Sequence, residues 1–336
     1  MEVGDLVADA ANSLVRRRWT SAATVGAFAG SAEATASLGI ARPSIPADSR
    51  SMYEIGSLTK LFTGLILADM VVNAELDIDA PASSFLGHTE KLPTYGGAQI
   101  TLGHLATHTS GLPGSPLSNL AYLRADAFSK IDDRQMLAAA ARARLKRLPG
   151  TGSPSYSNLG FAILGIVLVR AAGAASYSDL VTRRVCDPLG LPDTVTVPDA
   201  EQSDRVAHGF RWGNRASPPW RLTGMVAAGG LLSTVADVLR FLREQARPVS
   251  SLRPAILKMQ GLRVGTVDDG IGIAWMLSRS NQTVVMHHSG GTGGFRSWVG
   301  VSPEQNAGVA LLSAHADLGR LDHVGEALLA AITHPT

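Results

Sequence analysis

Strand-like stretches lie near the two ends of this chain and helical periodicity fills the middle, so any sheet must be assembled from segments far apart in sequence. Near the N-terminus, Thr24 to Ala29 and Ala34 to Ala41 read as strands around a Gly30-Ser31 turn. Towards the C-terminus, strands are expected over Gly272 to Leu277, Thr283 to His287, Phe295 to Val301 and Gly308 to Leu312. Helical patterns between them cover Thr59 to Asn73, Leu102 to Thr107, Asp133 to Arg144, Leu159 to Ala172, Ser176 to Val185 and Thr234 to Gln245. An opening helix, Asp5 to Arg18, and a closing one, Leu321 to Ile332, complete the pattern. The expected fold class is α/β, with a sheet built from both chain ends and a mainly helical lobe inserted between them.

With 336 residues, 45% hydrophobic and 17% charged, the chain can bury a large core and fill two lobes. Its net charge is +2, and basic clusters are confined to Arg16-Arg17-Arg18 and Arg142 to Arg147, which argues against a nucleic-acid partner. The single cysteine, Cys186, precedes Asp187-Pro188 at an expected helix end, has no internal disulfide partner and reads as packing. The longest apolar run, Leu159 to Val169, falls short of the ~20 residues that span a bilayer, so no membrane insertion is expected. The start, Met1-Glu2-Val3-Gly4-Asp5, lacks the basic region of a secretory signal. A cytoplasmic location is therefore expected if Met1 is the natural start, and a periplasmic or secreted one if a leader was removed.

Chemistry is concentrated in three short elements. The chain contains five lysines against twenty-five arginines, and one of the five stands in Ser57-Leu58-Thr59-Lys60. A spacing of three on a helix brings ammonium and hydroxyl to one face. Lysine, unlike arginine, can lose its proton when desolvated and so accept one from serine. Ser57 could otherwise be a helix cap. Tyr156-Ser157-Asn158 lies in a Gly/Pro/Ser-rich loop before an apolar helix, where a phenol can shuttle a proton and an amide can orient a lysine. His288-Ser289-Gly290-Gly291-Thr292-Gly293-Gly294-Phe295 joins two expected strands, and its glycines let a substrate approach the backbone.

In this order, the three elements resemble the serine β-lactamase and penicillin-binding-protein superfamily, particularly its class C branch with D-alanyl-D-alanine carboxypeptidases and β-lactamase-fold carboxylesterases. Tyr53 to Gly64 resembles the family's nucleophile helix, Ile100 to Pro113 its recurrent intervening segment, and Gly229-Gly230-Leu231-Leu232-Ser233-Thr234 a stretch preceding a helix. The resemblance implies a two-lobe β-lactamase-like fold: an antiparallel sheet flanked by helices (about 1–55 and 230–336) with a mainly helical lobe (about 56–229). It also implies that Ser57 is acylated, that Lys60 and Tyr156 form the base system, and that Asn158 orients Lys60 and contacts substrate. The N–H groups of Ser57 and Gly291 would form the oxyanion hole, with His288, Ser289 and Gly290 completing the third motif. No cofactor or metal is implied, and the partner is a small ester, amide or lactam.

Three positions bear on specificity. Class C β-lactamases usually carry lysine where His288 stands, and a histidine with a pKa of ~6.5 is mostly neutral at pH 7. The family's amide-recognising glutamine is replaced by Ser115, whereas Arg296 could contact a carboxylate instead. A carboxylesterase or amidase is therefore expected, with a D-amino-acid peptidase or β-lactamase as the alternative, and a transacylase or non-turnover penicillin-recognising protein further off. His104 and His108 have the spacing of a helical metal pair but no third ligand, and a structural role is expected; His287 reads as packing or outer-shell support.

Overall fold

The computed structural model describes residues 2–15, 22–115, 128–211, 215–280, 283–316 and 321–334. Thirteen strands occur among them: β1 (Ala22–Ala29), β2 (Ala32–Arg42), β3 (Ile45–Pro46), β4 (Tyr53–Glu54), β5 (Gly209–Arg211), β6 (Arg215–Ser217), β7 (Leu232–Ser233), β8 (Val264–Gly265), β9 (Asp269–Ile271), β10 (Met276–Ser280), β11 (Thr283–Gly291), β12 (Arg296–Ser302) and β13 (Ala307–Ser313). Nine form one antiparallel sheet in the order β3-β2-β1-β13-β12-β11-β10-β9-β8, so β1 from the start of the chain pairs with β13 from its end. Two small ladders, β4-β7 and β5-β6, lie outside it.

The period of two sorts the sheet residues between its faces. Val25 pairs with Leu311, which pairs with Trp298, and this row packs with Val7, Ala11 and Leu14 of helix Val3–Val15 and Leu328 and Leu329 of helix Leu321–Thr333. On the opposite face Ala310 and Val299 pair, and His288 is the next residue in that row. This inner face joins the main core with Leu239 and Leu242 of helix Val235–Ala246. Each such leucine, fully buried, stabilises by about 1.5–3 kcal/mol.

Helix Thr59–Val72 is buried from Thr59 through Met70, and a helix enclosed on all sides belongs at the centre of a fold. Its Phe62 ring stacks on Phe241 at 4.6 Å. That enclosure removes its polar residues, Lys60 among them, from water.

The expected strand over Gly272 to Leu277 forms only at its end, where Met276 and Leu277 open β10; Gly272 to Trp275 is a break between β9 and β10. Ile273 N–H donates to Met259 O and Ala274 N–H to Ala106 O, so the backbone bonds of this stretch go to helical segments and its apolar side chains enter the core. The expected helix through Val185 passes into a π-helical turn, Thr182–Cys186, and continues to Leu189 before left-handed Gly190 ends it. Cys186 is buried there. The Arg16-Arg17-Arg18 cluster lies outside the described residues. Among the described residues, no helix is long and apolar enough to cross a membrane.

Candidate active site

The nucleophile candidate sits in a tight 3-10 turn, Gly56–Leu58, at the head of helix Thr59–Val72. The helix has no side-chain cap, so the Ser57 hydroxyl is not engaged as a helix cap and meets Lys60 instead. Two glycines seat this turn against β11. Gly56 has φ +51°, and a Cβ there would come 2.5 Å from the Gly291 nitrogen; a Cβ on Gly290 would strike Ile55 O. The backbone nitrogens of Ser57 and Gly291 both lie at this junction. Gly56→Ala is expected to destabilise the protein by at least ~1–2 kcal/mol, the cost of the left-handed conformation alone, read as a lower urea midpoint. An unchanged midpoint with full activity would show that the turn relaxes freely.

Lys60 is fully buried. Its Nζ reaches Ser57 Oγ at 2.9 Å, Asn158 Oδ1 at 2.8 Å and the Ala228 carbonyl at 2.6 Å. Desolvation holds its pKa well below the ordinary lysine range. In the neutral amine only two N–H groups remain, and Asn158 Oδ1 and Ala228 O, which cannot donate, take them. The lone pair then faces the Ser57 hydroxyl, the geometry of a general base.

Tyr156-Ser157-Asn158 divides its labour. Ser157 is the N-cap of helix Asn158–Ala171, accepting from Gly160 N–H at 2.9 Å and donating to Pro113 O at 2.7 Å. Asn158 is thus released from capping to hold Lys60. Tyr156 is 38% exposed, yet burial around its hydroxyl raises its pKa well above the usual phenol value, opposed by a hydrogen bond with Ser57. The Lys60 Nζ lies 4.9 Å from the Tyr156 ring centroid.

His288 is buried on the inner face of β11, with Nδ1 2.7 Å from Ser289 O. A carbonyl only accepts, so Nδ1 carries a proton, a contact that leaves Nε2 to decide the charge of the ring. Burial, then the Lys60 charge, press its pKa down to about 3. A cavity of about 570 Å³ opens over Ser57 and Tyr156 and is lined by His288, Ser289, Gly290, Gly291 and Arg296. His287, Asp322 and Glu326 also line it; the acidic pair, four apart on helix Leu321–Thr333, was not anticipated. Ser115, half-buried beside Gly114, is not among the described residues lining this cavity.

Two further groups were not anticipated. The Ala228 carbonyl is the third partner of Lys60. Glu54, buried behind the nucleophile turn, accepts from Trp220 N–H at 2.8 Å, and burial raises its pKa to about 7. It lines a larger cavity, about 1010 Å³, that does not include Ser57. His104 closes a capping box with Thr101 on helix Leu102–Ala106, which ends before His108, so the two histidines do not share a helical face.

A large antiparallel sheet flanked by helices, with a cavity-lining serine hydrogen-bonded to a buried lysine at the head of the central helix, defines the serine β-lactamase and penicillin-binding-protein superfamily. The chain belongs to the beta-lactamase family, whose model matches residues 11–333. It is 28% identical over 299 residues to the D-alanyl-D-alanine-carboxypeptidase/endopeptidase AmpH of Escherichia coli K12, covering 84% of this chain and 76% of that one. It is 25% identical to a beta-lactamase of the same strain, over 80% of this chain and 76% of that protein. Among solved structures it resembles a beta-lactamase/D-alanine carboxypeptidase from Yersinia pestis complexed with citrate, with TM-score 0.83, 23% identity and 99% of both chains covered.

Proposed function

We propose that this protein is a serine acyl-enzyme hydrolase, a carboxylesterase or amidase acting on small acyl esters or amides, within a single domain of two lobes. Ser57 Oγ attacks the acyl carbonyl as its proton passes to Lys60 Nζ. The resulting oxyanion lies against the Ser57 and Gly291 amides, where each donor contributes on the order of 3 kcal/mol. The proton reaches the leaving group by way of the Tyr156 hydroxyl, and the same groups activate water for deacylation. The opposed pKa shifts, Lys60 down and Tyr156 up, support Lys60 as the base of the free enzyme.

The observation that carries the substrate reading is that a buried histidine, whose pKa burial presses down, stands at position 288. With no fixed cation at that position, recognition of a carboxylate beside the scissile bond is weakened, and substrates without one are favoured. A second reading, as a D-alanyl-D-alanine peptidase or β-lactamase, is supported by Arg296, an exposed cation on the cavity wall, and by the names of the relatives. Steady-state turnover of p-nitrophenyl butyrate, nitrocefin and a D-alanyl-D-alanine peptide distinguishes the two. Ester turnover is expected to dominate, and His288→Lys is expected to raise the nitrocefin-to-ester ratio of kcat/KM about tenfold, ~1.4 kcal/mol. Dominant peptide or nitrocefin turnover by the wild type would reverse the assignment, and a ratio unmoved by His288→Lys would remove the electrostatic argument for it.

A further inference from the structure

His108 holds Tyr156 from three sides. Its backbone carbonyl accepts the N–H of Ser155 at 2.8 Å, and its Nδ1 accepts the N–H of Ser157 at 3.0 Å, so the residues before and after the phenol are both tied to it. Its ring lies on the Tyr156 ring, centroids 4.4 Å apart and 34° between planes, and meets Phe161 on another side at 5.1 Å. Lys60 Nζ lies over the same two rings, Tyr156 and Phe161. His108 is 1% exposed, with φ +59°.

We infer that His108 is the positioning residue for Tyr156, fixing the phenol's backbone on both flanks and its ring plane beside Ser57 and Lys60. The inference rests on the reading of Ser57, Lys60 and Tyr156 as the acylating groups. Three demands meet at position 108, and histidine satisfies all of them. The backbone must enter the left-handed region, which asparagine, aspartate and histidine tolerate best. A side-chain acceptor must face the Ser157 N–H, and an aromatic face must support the phenol. Asparagine supplies the first two and phenylalanine only the last.

The ring also adds no charge to the site. Because Nδ1 accepts an amide N–H, protonating it would set donor against donor, so the proton stays on Nε2 and the imidazole is neutral. A cation there would repel a proton arriving on Lys60. A neutral ring orients the phenol without opposing that transfer.

The test is a double-mutant cycle of His108→Asn and Tyr156→Phe, with single-turnover acylation rates normalised to the fraction of protein that intact-mass spectrometry shows can be acylated. His108→Asn is expected to lower the acylation rate about 10²-fold, the scale of an ångström-sized misplacement, with KM nearly unchanged. In the Tyr156→Phe background the same change is expected to move the rate less than about threefold, because there is no hydroxyl left to position. His108→Phe, which keeps the ring face but gives up the acceptor and the left-handed tolerance, is expected to lose at least as much as His108→Asn. Equal losses in both backgrounds would overturn the inference while leaving the reading of the site intact. A wild-type rate for Tyr156→Phe would remove both. If neither His108 variant folds, the residue belongs to the scaffold and the inference falls.

Discussion

Lys60→Met should lower the acylation rate about 10²–10⁴-fold, the range general-base catalysis supplies, while substrate binding changes little. Methionine keeps an unbranched side chain of similar length in the same enclosure but offers the Ser57 hydroxyl no basic nitrogen. Lys60→Arg should fail as well, because a guanidinium does not release its proton. The pH dependence carries a sign. Acylation needs the neutral amine, so the wild-type rate should fall as pH drops through the Lys60 pKa. Burial places that limb well below the ~10.4 of an exposed lysine. In Lys60→Met the limb should disappear. A variant that retained both rate and limb would move the base to another residue.

Ser57→Ala should be more severe, with loss of turnover on the order of 10⁶-fold, as removal of a serine nucleophile produces. The fold should persist. The hydroxyl's bonds are with Lys60 and Tyr156, both of which belong to the site, and Lys60 keeps Asn158 and Ala228 as partners. Its loss should shift stability by no more than about 1.5 kcal/mol. Normal denaturation with no adduct would separate chemistry from folding.

How far the sequence revealed this site depends on what each contributor offers to a reader of residue types. Ser57 and Lys60 were legible because the spacing of three means one thing on a helix, and lysine is scarce in this chain. Tyr156 and His288 were legible through motif order. The Ala228 carbonyl was not, because every residue supplies a carbonyl and only the fold decides which one is aimed at Lys60. Asn158 illustrates a subtler limit. Its neighbour Ser157 takes the capping role that asparagine often fills, and that exchange frees the amide.

Longer-range features were the least legible. Ile273 and Trp275 alternate as a strand would, but their backbone is tied to Met259 and Gly272 inside the core, so the strand begins only at Met276. His104 and His108 have helical spacing on paper, while the helix stops at Ala106 and sends the second histidine to Tyr156. Asp322 and Glu326 come from the last helix and reach the cavity only because β1 and β13 join the two ends of the chain in one sheet.

The most direct measurement is intact-protein mass spectrometry with peptide mapping, quenched during reaction with a slowly deacylating ester or cephalosporin. One acyl group on the peptide carrying Ser57, absent from Ser57→Ala and formed far more slowly in Lys60→Met, is the predicted result. An adduct on another residue, or turnover by Ser57→Ala at the wild-type rate, would contradict it.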